Sequence, residues 1–295
     1  MHNYILSCCS TADLAKEHFE KRDIHYICFH YFMDGKEYPD DLGQTMPFPQ
    51  FYQAMVDGAD TKTSQVSAGE YMTYFEPFLQ EGKDILHITL SSGISGSYMS
   101  ACAACQTLSE KYPERKIRIV DSLSAASGYG LLVDAVADRR DEGMSLDEAA
   151  EWAEANRLNL QIWFFSSDLT FFVKGGRVSK TAGAIGGMLG ICPLLNMDNA
   201  GKLIPREKLR PKKRAINRIV EVMREHAAGG TAYNGKAYIC HSDCEADARA
   251  VADLIEASFP NLSEPVLINS IGTVIGSHTG PGTVALFYWG DARIN

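Results

Sequence analysis

The stretch DILHITLSSGISGSYMSACAACQTL, residues 84–108, is the clearest indication of the fold in the first half of the chain. Residues 84–90 are strand-like and apolar, and the small residues from Ser97 to Leu108 predict a helix. Between them lies SSGISGS, a turn made of hydroxyl side chains and glycines. Such a turn directs backbone N–H groups, hydroxyls and the positive end of a helix toward one point, which suits an oxyanion. We therefore expect an anionic group to bind there.

The same alternation of strand and helix recurs on both sides of this segment. YILSCC at 4–9 precedes one helical pattern, and IRIVDS at 117–122 precedes another. The alternation is typical of a parallel α/β sheet, in which ligands bind beyond the carboxyl ends of the strands. The segment YFMDGKEY at 31–38 carries an Asp-Gly turn, so we expect a small β-hairpin there as an excursion on the surface.

A domain boundary is expected near Asn159. The helix before it is capped by Ser145, and Glu148 three residues later completes a capping box. Beyond the boundary, segments with a two-residue period are interleaved with few helices, which favours an α+β arrangement. The sequence thus predicts an N-terminal parallel α/β domain over 1–158, a C-terminal α+β domain over 159–295 and a ligand cleft between them.

Composition narrows the functional classes. The formal net charge of −9 argues against nucleic acid as a partner, because phosphate backbones are bound through Lys and Arg. The N-terminus has no signal-peptide pattern, and no apolar run approaches the roughly 18 residues of a membrane span, so we expect a cytoplasmic protein without an integral membrane segment. The eight cysteines suggest neither a disulfide scaffold nor a four-ligand zinc set, so we expect free thiols and no metal.

Four polar clusters lie in turns or at the ends of elements, two in each predicted domain. Their convergence would build a site in the cleft between the domains, where ligands commonly bind. The clusters are KTSQ at 62–65, SSGISGS at 91–97, KGGRVSK at 174–180 and SHTGPG at 277–282.

Each candidate residue also has an ordinary structural explanation. The hydroxyls of Thr63, Ser64 and Ser95 suit an anionic head group, but serines in such places also cap helices. His278 could donate to a carboxylate or simply pack, and Arg177 could reach an anion or lie solvated on the surface. The SSGISGS turn holds only the first half of a GxSxG elbow and lacks the Gly-Lys-Ser/Thr end of a Walker A loop, which argues against a hydrolase or an ATPase.

Taken in order, these clusters resemble the DegV family of bacterial lipid-binding proteins. The matching stretches run through nearly the whole chain: STADL, KTSQ with GEY, ILHITLSSGISGSYMSA, Asp121-Ser122, FFVKGGRVSKTAGAIGGMLGICPLL and SHTGPGTVALFYW. The resemblance implies a two-domain α/β protein that holds one long-chain fatty acid, such as palmitate, between its domains and uses no other cofactor. It also implies a carrier without catalytic activity, which presents the carboxylate to an ATP-dependent fatty acid kinase that makes acyl phosphate.

The resemblance assigns site residues by position. They are the carboxylate contacts Thr63, Ser95 and His278, the neighbours Ser64, Ser92 and Thr279, and the kinase-docking residues Arg177 and Arg210. The chain departs from the family pattern where Cys9, Val66 and Cys192 replace Asp, Pro and Lys. The first replacement alters a polar group close to the head-group site, and the third removes a charge.

A lipid tunnel is energetically reasonable. Burying about fifteen methylenes contributes up to roughly 12 kcal/mol, reduced by the entropy lost on binding. Small residues at 182–184 and 186–187 leave room for a tunnel. Its expected lining, if these side chains are not ordinary core, is Phe164, Phe165, Phe171, Met188 and Leu189.

A rival hypothesis is a small-molecule enzyme. A domain of the dihydroxyacetone kinase type has a related fold and also uses a histidine near its ligand. An acyl chain that co-purifies with the protein would favour the carrier, because an enzyme of that type should hold none.

Overall fold

The computed structural model describes residues 4–179 and 190–293. Its strands are β1 Tyr4–Cys9, β2 His25–Ile27, β3 His30–Met33, β4 Lys36–Pro39, β5 Thr61–Ser64, β6 Asp84–Thr89, β7 Ile117–Asp121, β8 Leu160–Ser166, β9 Cys192–Met197, β10 Leu203–Leu209, β11 Ala237–His241, β12 Leu267–Ser270 and β13 Thr283–Trp289. Its α-helices are α1 Lys16–Lys21, α2 Phe48–Val56, α3 Ala68–Gln80, α4 Ser97–Lys111, α5 Ala126–Asp141, α6 Leu146–Asn156, α7 Thr170–Lys174, α8 Lys212–His226, α9 Glu245–Ser258 and α10 Thr273–Thr279.

The first half of the chain forms a parallel sheet, as predicted. Its strand order is β2-β1-β6-β7, and every neighbouring pair is parallel. The carboxyl ends of β1, β6 and β7 therefore open onto the same edge of the sheet. The SSGISGS turn, which follows β6, lies at that edge.

The second half forms a mixed six-stranded sheet in the order β10-β9-β8-β13-β11-β12. Only β11 and β12 pair in parallel. Side chains alternate between its faces, so Phe165 packs with Ile219 of α8 on one face. On the other face, Phe164 joins a single core with Leu6 and Ile88 of the parallel sheet. The two-domain α/β fold is thereby confirmed, with a continuous core between the sheets.

Two capping boxes set the beginnings of α3 and α6. Ser145 accepts from the backbone N–H of Glu148, whose carboxylate accepts from the Ser145 backbone, as the sequence predicts. Ser67 and Glu70 make the same pair of bonds at α3. The KTSQ segment is thus followed by a capped helix, whereas α4, which follows SSGISGS, begins after Gly96 without a side-chain cap.

The segment predicted as a surface hairpin is more deeply built into the fold. β3 and β4 pair around Asp34 and Gly35, and β3 also pairs with β5, forming a three-stranded antiparallel sheet. Tyr31 on β3 is fully buried and packs edge to face against Phe51 of α2. The hairpin is present and β4 is largely exposed, but the expectation of a surface excursion was wrong for β3, because α10 packs against β3 and β5 and Phe51 of α2 packs against Tyr31.

A buried ion cluster joins α5 to both halves of the molecule. The carboxylate of Asp134 is fully buried and accepts from His18 of α1 and from Arg22 just after α1, at 2.9 and 3.0 Å. On its other side it accepts from Tyr238 at 3.0 Å and pairs with Lys236. Burial alone would raise the pKa of Asp134, but the hydrogen bonds from His18 and Lys236 and the nearby charges lower it below its ordinary value.

Within residues 4–179 and 190–293, the structure contains no helix with the length and apolar character needed to cross a bilayer.

Candidate functional site

A cavity of about 590 Å³ lies between the two sheets. It is lined mostly by apolar side chains from both halves of the chain, of which representative members are Leu90, Ile162, Phe164, Met197, Val274 and Phe287. Its volume falls within the usual range for small-molecule sites, roughly 300–1,000 Å³. Such a cavity suits an elongated apolar ligand.

One end of the cavity is polar. Thr63 at the end of β5, Ser95 in the SSGISGS turn, His278 on α10 and Arg177 after α7 all line it. Thr63 Oγ1 lies 2.8 Å from His278 Nε2, and Arg177 Nη1 lies 3.4 Å from His278 Nδ1. Arg177 also donates from Nη2 to the carbonyl of Ile94, 3.1 Å away. Each of the four predicted clusters therefore contributes a residue to this end of the cavity.

The contacts fix the proton positions at this end. A guanidinium only donates, so His278 Nδ1 accepts and its Nε2–H donates to Thr63. Burial, and then the charge of Arg177, lower the pKa of His278 to about 3, so the imidazole is neutral. The Thr63 hydroxyl is left with a hydrogen to donate. Ser95 is similar, because its Oγ accepts from the Ser97 N–H at 3.2 Å. Two hydroxyl donors and one cation can thus face an anion.

Close backbone approaches hold these side chains in place. A Cβ on Gly175 would lie 2.1 Å from His278 Nδ1, so glycine is needed for α7 to approach α10. The SSGISGS turn is held from the other side, where Ser91 Oγ donates to Gly201 O at 2.9 Å. A Cβ on Gly93 would lie only 2.3 Å from the Ala200 carbonyl oxygen. The turn between β9 and β10 therefore presses against the hydroxyl turn.

The remaining predicted residues occupy different positions. Ser64 and Thr279 line the cavity, but their hydroxyls donate to the carbonyls of Gln65 and Gly280. Ser92 is exposed and does not line the cavity. Its neighbour Ser91 is the residue that organises the turn. The sequence pattern did not show which of the two serines has this role.

The two predicted docking residues differ from each other. Arg210 is exposed, as a docking residue should be. Arg177 was expected on an exposed turn, but its side chain is turned inward toward His278 and burial lowers its pKa. The reason is that Gly175 lets the chain approach α10 closely and Gly176 adopts a φ of 73°, so the guanidinium reaches into the cavity.

The expected apolar lining is corrected in two places. Phe164 lines the cavity, but its neighbour Phe165 must point to the opposite face of the sheet. Phe172 lines the cavity in place of Phe171, whose ring packs against the backbone at Gly280. The small residues at 182–184 and 186–187, with Met188 and Leu189, lie outside the described residues.

Cys9 belongs to a buried polar chain that leads to the site. Its Sγ lies 3.2 Å from Tyr71 OH, which lies 2.6 Å from Ser97 Oγ. Ser97 N–H in turn donates to Ser95. Burial raises the pKa of the Cys9 thiol to about 11, so it is neutral. The other two departures, Val66 and Cys192, are buried in the core.

Among the described residues, no three His, Cys, Asp or Glu side chains gather closely enough to hold a metal ion. The eight cysteines all carry free thiols.

Comparisons with known proteins agree with the geometry. Residues 9–291 match the DegV family, described as a family of uncharacterised proteins. A DegV domain-containing protein of Clostridium perfringens is 35% identical over 293 residues, 99% of each chain. A fatty acid-binding protein of Thermotoga maritima is 31% identical over 280 residues, 93% of each chain. The solved structure of a fatty-acid-binding DegV family protein from Thermus thermophilus superposes with a TM-score of 0.86 at 26% identity, covering 99% of this chain and 100% of that one.

Proposed function

The chain belongs to the DegV family, and on this basis we propose that it binds one long-chain fatty acid in the cavity between its sheets. The carboxylate lies at the polar end, against Thr63, Ser95 and Arg177, and the acyl chain occupies the apolar part. The observation that carries this proposal is an apolar cavity between the sheets in which, among the described residues, one cation and two available hydroxyl donors lie at the same end.

The roles of the polar residues follow from their hydrogen bonds. Arg177 supplies the compensating charge, because a carboxylate and a guanidinium make charge-assisted hydrogen bonds. Neutral His278 holds the Thr63 hydroxyl in the donating direction. The Thr63 hydroxyl lies beside the His278 imidazole, but Nε2–H donates to it and does not act as its base. The role proposed for the chain is that of a carrier, in which the chemistry of the carboxylate belongs to a partner.

Titration of delipidated protein with a fluorescent fatty acid tests the binding site. Ser95→Ala should weaken binding by about 1 to 3 kcal/mol, because the carboxylate loses a donor. Ser92→Ala is the matched control, since it removes an equivalent hydroxyl outside the cavity. Equal affinities of both variants and the parent would contradict the placement of the carboxylate, and no binding by the parent would contradict the function.

The carrier presents the carboxylate to a fatty acid kinase for phosphorylation. An open groove beside the polar end, lined by Gly93, Gly176, Arg177 and Lys202, supports this step because it reaches the head group from outside. Arg210→Ala should leave lipid affinity unchanged and slow acyl phosphate formation by a bacterial fatty acid kinase, since rim charges govern encounter. An unchanged rate at limiting carrier concentration would contradict docking through Arg210.

A further inference from the structure

The apolar part of the cavity is shaped by one close contact between α5 and β13. Gly128 lies against the ring of Phe287, so that a Cβ on residue 128 would be 2.5 Å from Cδ1 and 2.8 Å from Cε1 of the ring. Carbon atoms in contact are normally about 3.5–4.0 Å apart. Glycine at 128 therefore lets the Phe287 ring withdraw toward α5.

Phe287 lies far from the polar end. Thr283, Ala285 and Phe287 all line the cavity, because alternate residues of β13 share one face. Thr283 directly follows the SHTGPG turn that carries His278. At about 3.4 Å per strand residue, Phe287 lies roughly 13 to 14 Å farther along β13 than Thr283. Its register partner Ile162 also lines the cavity at this level.

The ring has one direction in which it can move. Phe287 is 1% exposed and belongs to the core between the sheets. The same added Cβ would lie 2.9 Å from Ser124 Oγ, so α5 cannot easily give way on that side. Because protein interiors are densely packed, a displaced ring must enter the cavity, which is the open space beside it.

We propose that the contact between Gly128 and Phe287 sets the depth of the cavity at the methyl end of the ligand, and with it the longest acyl chain that the protein accepts. This inference rests on the proposed function. A larger side chain at 128 pushes the ring inward and shortens the cavity. A smaller side chain at 287 lengthens it.

Affinities for lauric, myristic, palmitic and stearic acids test the proposal. Gly128→Ala should move the preferred length toward shorter chains, with about tenfold weaker binding for each two methylenes left unburied. Phe287→Ala should move it toward longer chains. Gly69→Ala is the matched control, since Gly69 is also helical but a Cβ there meets nothing closer than 4.0 Å.

The possible results distinguish failure of the proposed fatty acid binding from failure of the depth-setting contact. A parent protein that binds none of the four acids would overturn the proposed function. A parent that binds them, with an unchanged length profile in both Gly128→Ala and Phe287→Ala, would overturn the depth-setting contact alone. Thermal unfolding identifies a variant that does not fold. If Gly128→Ala does not fold, the chain-length profile of Phe287→Ala alone tests the depth-setting contact. The double variant Gly128→Ala/Phe287→Leu should then recover folding.

Discussion

Arg177 Nη1 lies 3.4 Å from His278 Nδ1, so the arginine brings a positive charge to the cavity, while burial and then this charge lower the pKa of the histidine to about 3. The sequence left open whether His278 donates to a carboxylate or packs, and whether Arg177 reaches an anion or lies on the surface. A site built this way holds its positive charge at all physiological pH values, because a guanidinium does not titrate there.

The first prediction concerns the charge of the ligand. Arg177→Met should weaken binding of palmitate much more than binding of the matched fatty alcohol, because only the acid has a charge left unpaired. The expected loss for the acid is about 2 to 4 kcal/mol. Calorimetry with both ligands measures the difference. Similar losses for acid and alcohol would mean that Arg177 only packs against the wall of the cavity.

The second prediction concerns protons. The pKa of His278 is about 3 in the free protein, and a bound carboxylate is offset by Arg177. Palmitate binding near neutral pH should therefore take up almost no proton. Calorimetry in two buffers with different ionisation enthalpies detects proton uptake directly. Uptake approaching one proton per ligand would show that His278 becomes an imidazolium, contrary to its hydrogen bond from Arg177.

The third prediction concerns the ion cluster at α5. Asp134→Asn should cost about 3 kcal/mol of unfolding free energy, since it leaves the cations of Arg22 and Lys236 around a neutral amide. The pKa of Asp134 is lowered in the folded protein, so its contribution is complete above the unfolded pKa of about 3.9 and is lost as the pH falls. Urea denaturation of Asp134→Asn and of the surface control Asp147→Asn measures both effects. Equal stability of the two variants would show that the Asp134 cluster does not stabilise the folded protein.

The fourth prediction concerns two buried carboxyl groups. The Oδ1 atoms of Asp13 and Asp40 lie 2.7 and 3.2 Å from the position that a Cβ on Gly272 would take. Burial, together with the charge of Asp40, raises the pKa of Asp13 well above its ordinary value. Its contribution to stability is therefore complete at pH below about 3.9 and is lost as the pH rises through the folded pKa.

Asp13→Asn should remove this loss, because an amide resembles the protonated acid. In urea denaturation, the stability of the variant relative to the parent should rise as the pH increases from about 3.9 through the raised pKa of Asp13. A difference that stays constant over this interval would mean that Asp13 does not take up a proton on folding.

Much of the fold could be predicted from local pattern. The run 84–108 indicated strand, turn and helix in the right order, and Ser145 with Glu148 indicated the beginning of α6, because these signals depend on neighbours in sequence. The burial of Tyr31 could not be predicted, since it depends on the packing of α2 and α10, which lie far away along the chain.

The site was predictable by residue type more than by position. Thr63, Ser95 and His278 lie together as the clusters suggested. The inward turn of Arg177 depends on the close approach of Gly175 to His278, a tertiary contact with no local signal. For the same reason, the sequence did not show that Ser91 and not Ser92 organises the turn, or that Phe172 and not Phe171 lines the cavity. A pattern identifies a turn or a helix, but the direction of one side chain depends on what packs against it.

Native mass spectrometry of the protein purified from a bacterial host directly tests whether the protein binds one long-chain fatty acid. One acyl chain should remain bound in the cavity through purification, because the two sheets cover the chain on both sides. We expect a single added mass equal to one long-chain fatty acid, which delipidation removes and palmitate restores. The bare polypeptide mass, both as purified and after incubation with palmitate, would contradict it.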